Sequence, residues 1–291
     1  ESPAHGQRHE GQTHVPLDMG NALVVKIPAL TGDLGFGRDA AELERRQAEE
    51  ALVAAKAAGI AVTNTPGALT GTTAELALTL MLMTARRAGE GERSLRAGQW
   101  QGWTPTDRMG QGLPGKLLGL VGYGRIAQAT ARLARAFGMR IGYYTRTPQE
   151  QPDAEAFASL EALAEAADVL SLHTPGGEGT RHLVNAGLLA RMKPTAILIN
   201  TARGSVVDEA ALIAALQNGT IAGAGLDVFA NEPNVPEVLW TMNNVVLTPH
   251  MASATHETRQ AMADLAFANM QAGTSGQPLR TPVPECAALL K

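Results

Sequence analysis

The sequence predicts an α/β protein built on a doubly wound parallel sheet, and three observations carry that prediction. Strand-like runs recur at 117–121, 140–144, 168–172, 196–200, 222–228 and 244–248, with helix-sized segments between most of them. A parallel sheet demands this alternation, because each crossover needs a helix-length connection. The first run closes on the glycine pattern Gly122-Tyr123-Gly124-Arg125-Ile126-Ala127. Polar groups then gather after the later runs, at the strand ends where open parallel sheets bind ligands.

Bulk properties narrow the function classes. The 291 residues have room for about two domains of roughly 150 residues, enough to bury a sizeable core. Hydrophobic residues make up 45% and charged residues 18%, and the formal net charge of −4 gives no reason for a nucleic-acid or membrane partner. One cysteine, Cys286, rules out an internal disulfide and suits a reducing compartment. The most apolar run, Leu76 to Thr84, is too short to span a bilayer, and the N-terminus lacks the apolar stretch of a signal peptide. A soluble, cytoplasmic protein is the expectation.

The elements follow in order. Residues 1–20 are polar, and His5, His9 and His14 lack the companions of a metal site, so they read as a solvated tail. Residues 21–30 form a strand candidate, followed by the glycine-rich segment 31–37. Residues 40–58 are helical by composition, with Gly59 as the C-cap, and Ile60 to Pro66 is a strand ended by its proline. Thr72-Thr73-Ala74-Glu75 matches a capping box for a long helix running through Arg86. That helix is apolar on nearly every face and should be buried on several sides, between domains or subunits. Trp100 and Trp103 follow and read as packing or interface residues, so a two-fold dimer using this helix and arm would be ordinary. Helices are expected at 126–137 and 208–217, the second with Asp208 at its start and Gly219 past its end. One more helix from Met262 and a Pro-rich tail should return to the first domain.

The glycine pattern carries the first chemistry. Gly122 permits the tight turn, Gly124 lets the backbone approach a pyrophosphate, and Ala127 stands where close helix packing is needed. The phosphates would rest on the helix N-terminus, against Gly122, Tyr123, Gly124, Arg125 and Ile126. The next strand selects the dinucleotide. An NAD site usually ends that strand with an acid for the ribose hydroxyls, but here Thr145-Arg146-Thr147 follow Tyr144. Arg146 can grip a 2′-phosphate and the two hydroxyls can donate to it, so NADP(H) is expected in preference to NAD(H).

His173, Thr174 and Pro175 end the third strand, Thr180 follows a glycine-rich loop, and these residues should line the cofactor's edge. Thr201 and Ala202, after the fourth strand, join that lining, as do Arg203 and His250. Asp227 closes the fifth strand and is expected on the nicotinamide side. Arg203, Glu232 and His250 are the catalytic candidates. Reducing a 2-oxo acid needs a cation for the substrate carboxylate and an acid for the developing alkoxide. Arg203 can supply the first, its fork reaching carboxylate and carbonyl oxygen together, and His250 the second. A carboxylate beside His250 would raise its pKa toward working pH, and Glu232 is the candidate. No Gly-x-Ser-x-Gly elbow supports a serine hydrolase, and no ligand cluster has the spacing of a metal site.

These motifs together resemble the D-2-hydroxyacid dehydrogenase family. The stretches that carry the resemblance are 120–127, 199–208, 225–233 and Leu247-Thr248-Pro249-His250. Residues 85–92 with Trp100-Gln101-Gly102-Trp103, and residues 253–259, look like its glyoxylate/hydroxypyruvate reductase and glycerate dehydrogenase branch. The resemblance implies a homodimer in which a Rossmann cofactor domain, residues 69–262, is inserted into a smaller flavodoxin-like substrate domain, residues 1–68 and 263–291. It implies Arg203 as substrate anchor, His250 as acid/base and Glu232 as its partner. The substrate domain reads as shortened at its N-terminus, and its carboxylate-cradling loop falls at Gly35 and Gly37. The expected reaction is NADPH-dependent reduction of glyoxylate or hydroxypyruvate to the D-hydroxy acid. A formate dehydrogenase is the alternative, although that branch usually pairs its histidine with glutamine. A dinucleotide-sensing corepressor module is a further one, disfavoured by the lack of long disordered extensions.

Overall fold

The alternating runs form one parallel sheet. The computed structural model describes Val25–Lys26, residues 52–147 and residues 151–284; Gly35, Gly37 and Cys286 lie outside these. In chain order the elements are β1 (Val25–Lys26), α1 (residues 52–57), β2 (Val62–Thr63), α2 (Thr70–Ala85), α3 (Ala88–Arg96) and β3 (Leu117–Val121). Next come α4 (Arg125–Ala136), β4 (Arg140–Tyr144), β5 (Glu155–Ala156), α5 (Leu160–Ala166), β6 (Val169–Leu172) and α6 (Ala186–Leu189). The chain continues with β7 (Ile197–Asn200), α7 (Glu209–Gln217), β8 (Gly223–Leu226), α8 (Glu237–Thr241), β9 (Val245–Leu247) and α9 (His256–Thr274).

Among the described residues the large sheet has the order β5-β4-β3-β6-β7-β8-β9, every pairing parallel. Winding reverses between β3 and β6, the doubly wound arrangement whose reversal point is a ligand crevice. β3, β6, β7 and β8 are buried along their whole length, which explains runs that are apolar throughout rather than alternating. One core, on the α5, α6 and α7 side, gathers Leu163, Leu170, Leu172 and Leu198. The other, under α2 and α4, gathers Leu80, Leu118, Leu120, Ala131 and Ile199.

α2 owes its close seat to glycine. A Cβ at Gly225 of β8 would lie 2.9 Å from the Leu80 Cβ, so only a bare backbone lets the helix down onto the sheet. As the apolar sequence requires, α2 buries Ala74, Ala77, Leu80 and Met81 completely. It starts two residues before the expected box, however. Leu69 is the N-cap without a side-chain bond, and Thr72 lies inside the helix, its hydroxyl donating to the Leu69 carbonyl at 3.2 Å. After it Trp100 and Trp103 are 57% and 80% exposed, on a segment without helix or strand.

Other boundaries also differ from expectation. Gly59 ends α1 in the left-handed region (φ +71°), as a C-cap should. The run ending at Pro66 contributes only Val62–Thr63 to a parallel pairing with β1. The last helix begins at His256 rather than Met262, because Thr255 caps it by accepting from the Thr258 amide at 3.2 Å. Its Asn269, fully buried, satisfies all four amide valences: Nδ2 donates to Leu265 O and Thr281 Oγ1, and Oδ1 accepts from the amides of Arg280 and Thr281. Thr281 then exchanges bonds with Asn64, and the Val283 amide donates to Val62, so the chain after α9 runs back beside β2. The Thr258 and Thr72 hydroxyls meet at 3.1 Å.

Candidate active site

The crevice is built from the carboxyl ends of β3, β4, β6, β7, β8 and β9. Gly122, just past β3, has φ +84°, and a Cβ there would lie 2.8 Å from the His173 carbonyl oxygen. The turn therefore needs glycine both for conformation and for its approach to β6. Gly124 is the N-cap of α4, and a Cβ added to it would meet only open space. No acidic residue lies in the first turn of α4, whose amides and dipole favour an anion. Ala127 is fully buried, as close packing of the helix requires. Tyr123 is turned inward, its ring 4.3 Å from that of Tyr143.

Thr145, Arg146 and Thr147 follow β4. The Arg146 side chain is exposed and its Nη1 lies 3.6 Å from the Cβ position of Gly179, so it reaches from the end of β4 toward the loop after β6. In that loop His173 Nε2 meets Ser171 Oγ at 2.9 Å, and burial drives its pKa down to about 4. Such an imidazole stays neutral, in keeping with a lining residue rather than an acid. Thr180 is buried and donates to the Pro175 carbonyl at 2.7 Å, holding the loop closed. Thr174 and Thr201, after β6 and β7, each hold a buried hydroxyl without a partner among the described residues. Two unsatisfied buried hydroxyls after neighbouring strands, that of Thr174 beside the glycine turn, fit a polar ligand in the crevice.

Arg203 follows β7 on a turn shaped by Asn200. The buried Asn200 amide donates to the Arg203 carbonyl at 3.0 Å and its oxygen accepts from the Ala202 amide at 3.0 Å. The Arg203 side chain is exposed, with Nη1 donating to the Ala202 carbonyl at 2.6 Å. Its charge reaches His250, whose pKa it lowers.

Glu232 bridges the β8 loop to the histidine. Its Oε1 accepts from the Phe229 amide at 2.9 Å, and its Oε2 lies 2.6 Å from His250 Nδ1. His250 Nε2 makes no hydrogen bond among the described residues, and the side chain is 42% exposed. The hydrogen bond to Glu232 raises the His250 pKa above its ordinary value, with the charges of Glu232 and Asp227 in support. Burial and Arg203 pull the other way.

His250 is held in the left-handed region, φ +48°. Asp227 explains how. Fully buried, it accepts from Thr248 Oγ1 at 2.6 Å, the Met251 amide at 2.8 Å and the Ala252 amide at 3.0 Å, while its carbonyl takes the His250 amide at 2.9 Å. These bonds wrap the chain around the histidine, so the carboxylate expected on the nicotinamide side is directed at the His250 loop.

Sequence reasoning misses three supporting residues. Asn200 is a polar residue ending an apolar strand, and that mismatch was the available signal. Glu209, at the start of α7, accepts from the Ala230 amide at 3.1 Å. Gly204 leaves no room for a side chain, because a Cβ would stand 1.8 Å from the Phe229 carbonyl oxygen. The Arg203 turn and the Glu232 loop therefore meet backbone to backbone. Gly204→Ala must push them apart, and we expect a loss on the order of 3 kcal/mol in a thermal melt, with a turnover defect. An unchanged melting temperature would contradict this packing.

Residues 78–252 match the family described as D-isomer specific 2-hydroxyacid dehydrogenase, NAD binding domain. The chain is 50% identical over 226 residues to a glyoxylate reductase of Thermococcus litoralis, covering 75% of this chain and 68% of the relative. It is 49% identical over 224 residues to one of Korarchaeum cryptofilum, with coverage of 75% and 68%. Among solved structures, a protein of Thermus thermophilus superposes with a TM-score of 0.77 at 48% identity, over 80% of this chain and 74% of that one. The NADPH-dependent glyoxylate/hydroxypyruvate reductase of Sinorhizobium meliloti, crystallised with NADP and malonate, gives a TM-score of 0.75 at 48% identity, over 81% and 74%.

Proposed function

The chain belongs to the D-isomer specific 2-hydroxyacid dehydrogenase family and is an NAD(P)-dependent oxidoreductase; on that premise we propose that it reduces glyoxylate or hydroxypyruvate to the D-2-hydroxy acid, with NADP(H) preferred over NAD(H). The observation that carries the reading is the Glu232–His250 contact of 2.6 Å within electrostatic reach of Arg203, at the crevice end of the sheet.

When bound, the reduced nicotinamide supplies the hydride. Gly122, Gly124 and the α4 N-terminus would hold its pyrophosphate, and Thr174 and Thr201 offer it free hydroxyls. Arg203 binds the substrate carboxylate and draws on the carbonyl oxygen with its second arm. Glu232 keeps the proton on Nδ1 and stabilises the imidazolium, so Nε2–H delivers its proton to the carbonyl oxygen as charge develops there. In the reverse direction neutral Nε2 accepts the proton from the hydroxy acid. Asp227 serves by fixing the His250 loop. The exposed Trp100 and Trp103 arm is the surface for a homodimer.

Glutamate rather than glutamine beside His250 favours a 2-oxo acid over formate, since a carboxylate supports the charged imidazole that protonation of a carbonyl requires. A panel of 2-oxo acids run with both reduced cofactors tests the proposal. Oxidation of NADPH is expected with glyoxylate and hydroxypyruvate, and silence with every 2-oxo acid would leave a binding module instead. In the same assay Arg146→Asp should raise the KM for NADPH by about 10–100-fold and spare NADH, because charged hydrogen bonds to the phosphate are replaced by repulsion. An unaltered preference removes Arg146 from the phosphate site.

A further inference from the structure

Glu209 belongs to no motif assigned above, yet its side chain reaches the loop that carries Glu232. It stands first in α7, next to Asp208, which caps that helix by accepting from the Ala211 amide at 3.1 Å. From there Oε1 crosses to the Ala230 amide at 3.1 Å, one residue after the Phe229 amide that Glu232 itself binds. The other side of this short loop is pressed against Gly204, where the Phe229 carbonyl and the Ala230 nitrogen leave no space for a Cβ. Two successive amides are thus fixed by two carboxylates, one reaching in from α7 and the other facing His250.

We infer that Glu209 is a positioning residue for the Glu232–His250 pair: it holds the 229–230 backbone so that the Glu232 carboxylate meets the imidazole. The inference rests on the catalytic reading of that pair. The role rests on reach: the glutamate side chain carries an acceptor from the first turn of α7 to the Ala230 amide, at a helix start where the dipole favours an acid. Burial raises the Glu209 pKa above the ordinary glutamate value. The groups facing His250 are Glu232, Arg203 and Asp227, so a displaced Glu232 leaves the imidazole with the weaker support of Asp227 against Arg203.

The test is the pH dependence of kcat/KM for 2-oxo acid reduction in the full-length enzyme, with Glu232→Gln as reference. Loss of the Glu232 charge should move the alkaline limb of the profile to lower pH. Glu209→Asp keeps the charge at the helix start but falls a methylene short of Ala230. It should move the limb the same way and lower kcat by about tenfold, the scale expected of a slightly misplaced catalytic group. Glu209→Gln keeps an acceptor at the same reach and should shift the limb less than Glu209→Asp. The KM for the cofactor should stay unchanged in both, and thermal melts establish that the variants fold. A normal limb in Glu209→Asp while Glu232→Gln shifts it would overturn the role of Glu209 and leave the pair standing. A larger defect in Glu209→Gln than in Glu209→Asp would also overturn it, since charge and not reach would then matter. If Glu232→Gln leaves the limb in place, the pair itself is misread.

Discussion

Replacing His250 by alanine should lower kcat for 2-oxo acid reduction by about 10²–10⁴-fold, the range of a positioned general acid, while NADPH binds as before. The substitution removes the imidazole, while the backbone bonds from the His250 amide to the Asp227 and Thr248 carbonyls are kept. Nicotinamide fluorescence on titration separates the two effects, and near-normal turnover would refute the assignment. The pH profile of the parent enzyme supplies the sign. Reduction consumes the imidazolium, and the pKa of His250 is raised, chiefly by Glu232. Reduction should therefore persist above the ordinary histidine pKa and decline as pH climbs through the raised value. Oxidation of the hydroxy acid needs neutral Nε2 and should rise over the same interval.

Arg203→Lys should lower kcat/KM for the 2-oxo acid by about 10²–10³-fold, as expected when an aligned donor to a developing oxyanion is lost. The charge is kept, but an ammonium cannot span carboxylate and carbonyl oxygen as a planar fork does. The Asn200 clamp acts on the backbone of Ala202 and Arg203, so the turn itself is preserved. Steady-state kinetics with glyoxylate measures the change. A loss smaller than about fivefold would mean that general electrostatic attraction, rather than bidentate contact, carries the substrate.

What could be read from the sequence divides along physical lines. Long buried strands were legible because a parallel sheet covered on both faces leaves continuous apolar runs, as in Leu117–Val121 and Ile197–Asn200. The two-residue β5 was not, since Glu155–Ala156 is exposed and too short for any periodicity. The start of α2 was misplaced because Thr72 imitates a cap while the hydroxyl serves an interior turn. At the site, Arg203, Glu232 and His250 were legible as reactive groups that follow strands. Their scaffolding was not. Nothing local in Glu209 announces a bond to Ala230, 21 positions away. The second role of Asp227 likewise depends on the way the chain doubles back after Thr248. Chemistry advertises itself through residue type, whereas support is a property of distant segments meeting.

The meeting of Thr72 and Thr258 has a wider consequence. A stretch that departs and returns through two side chains in contact is, topologically, a cassette: it could be cut at its base and joined by a short linker without dragging its entry and exit apart. Gene-level exchange of such a cassette between related enzymes asks no rearrangement of the seven-stranded sheet, whose strands all lie between these two residues.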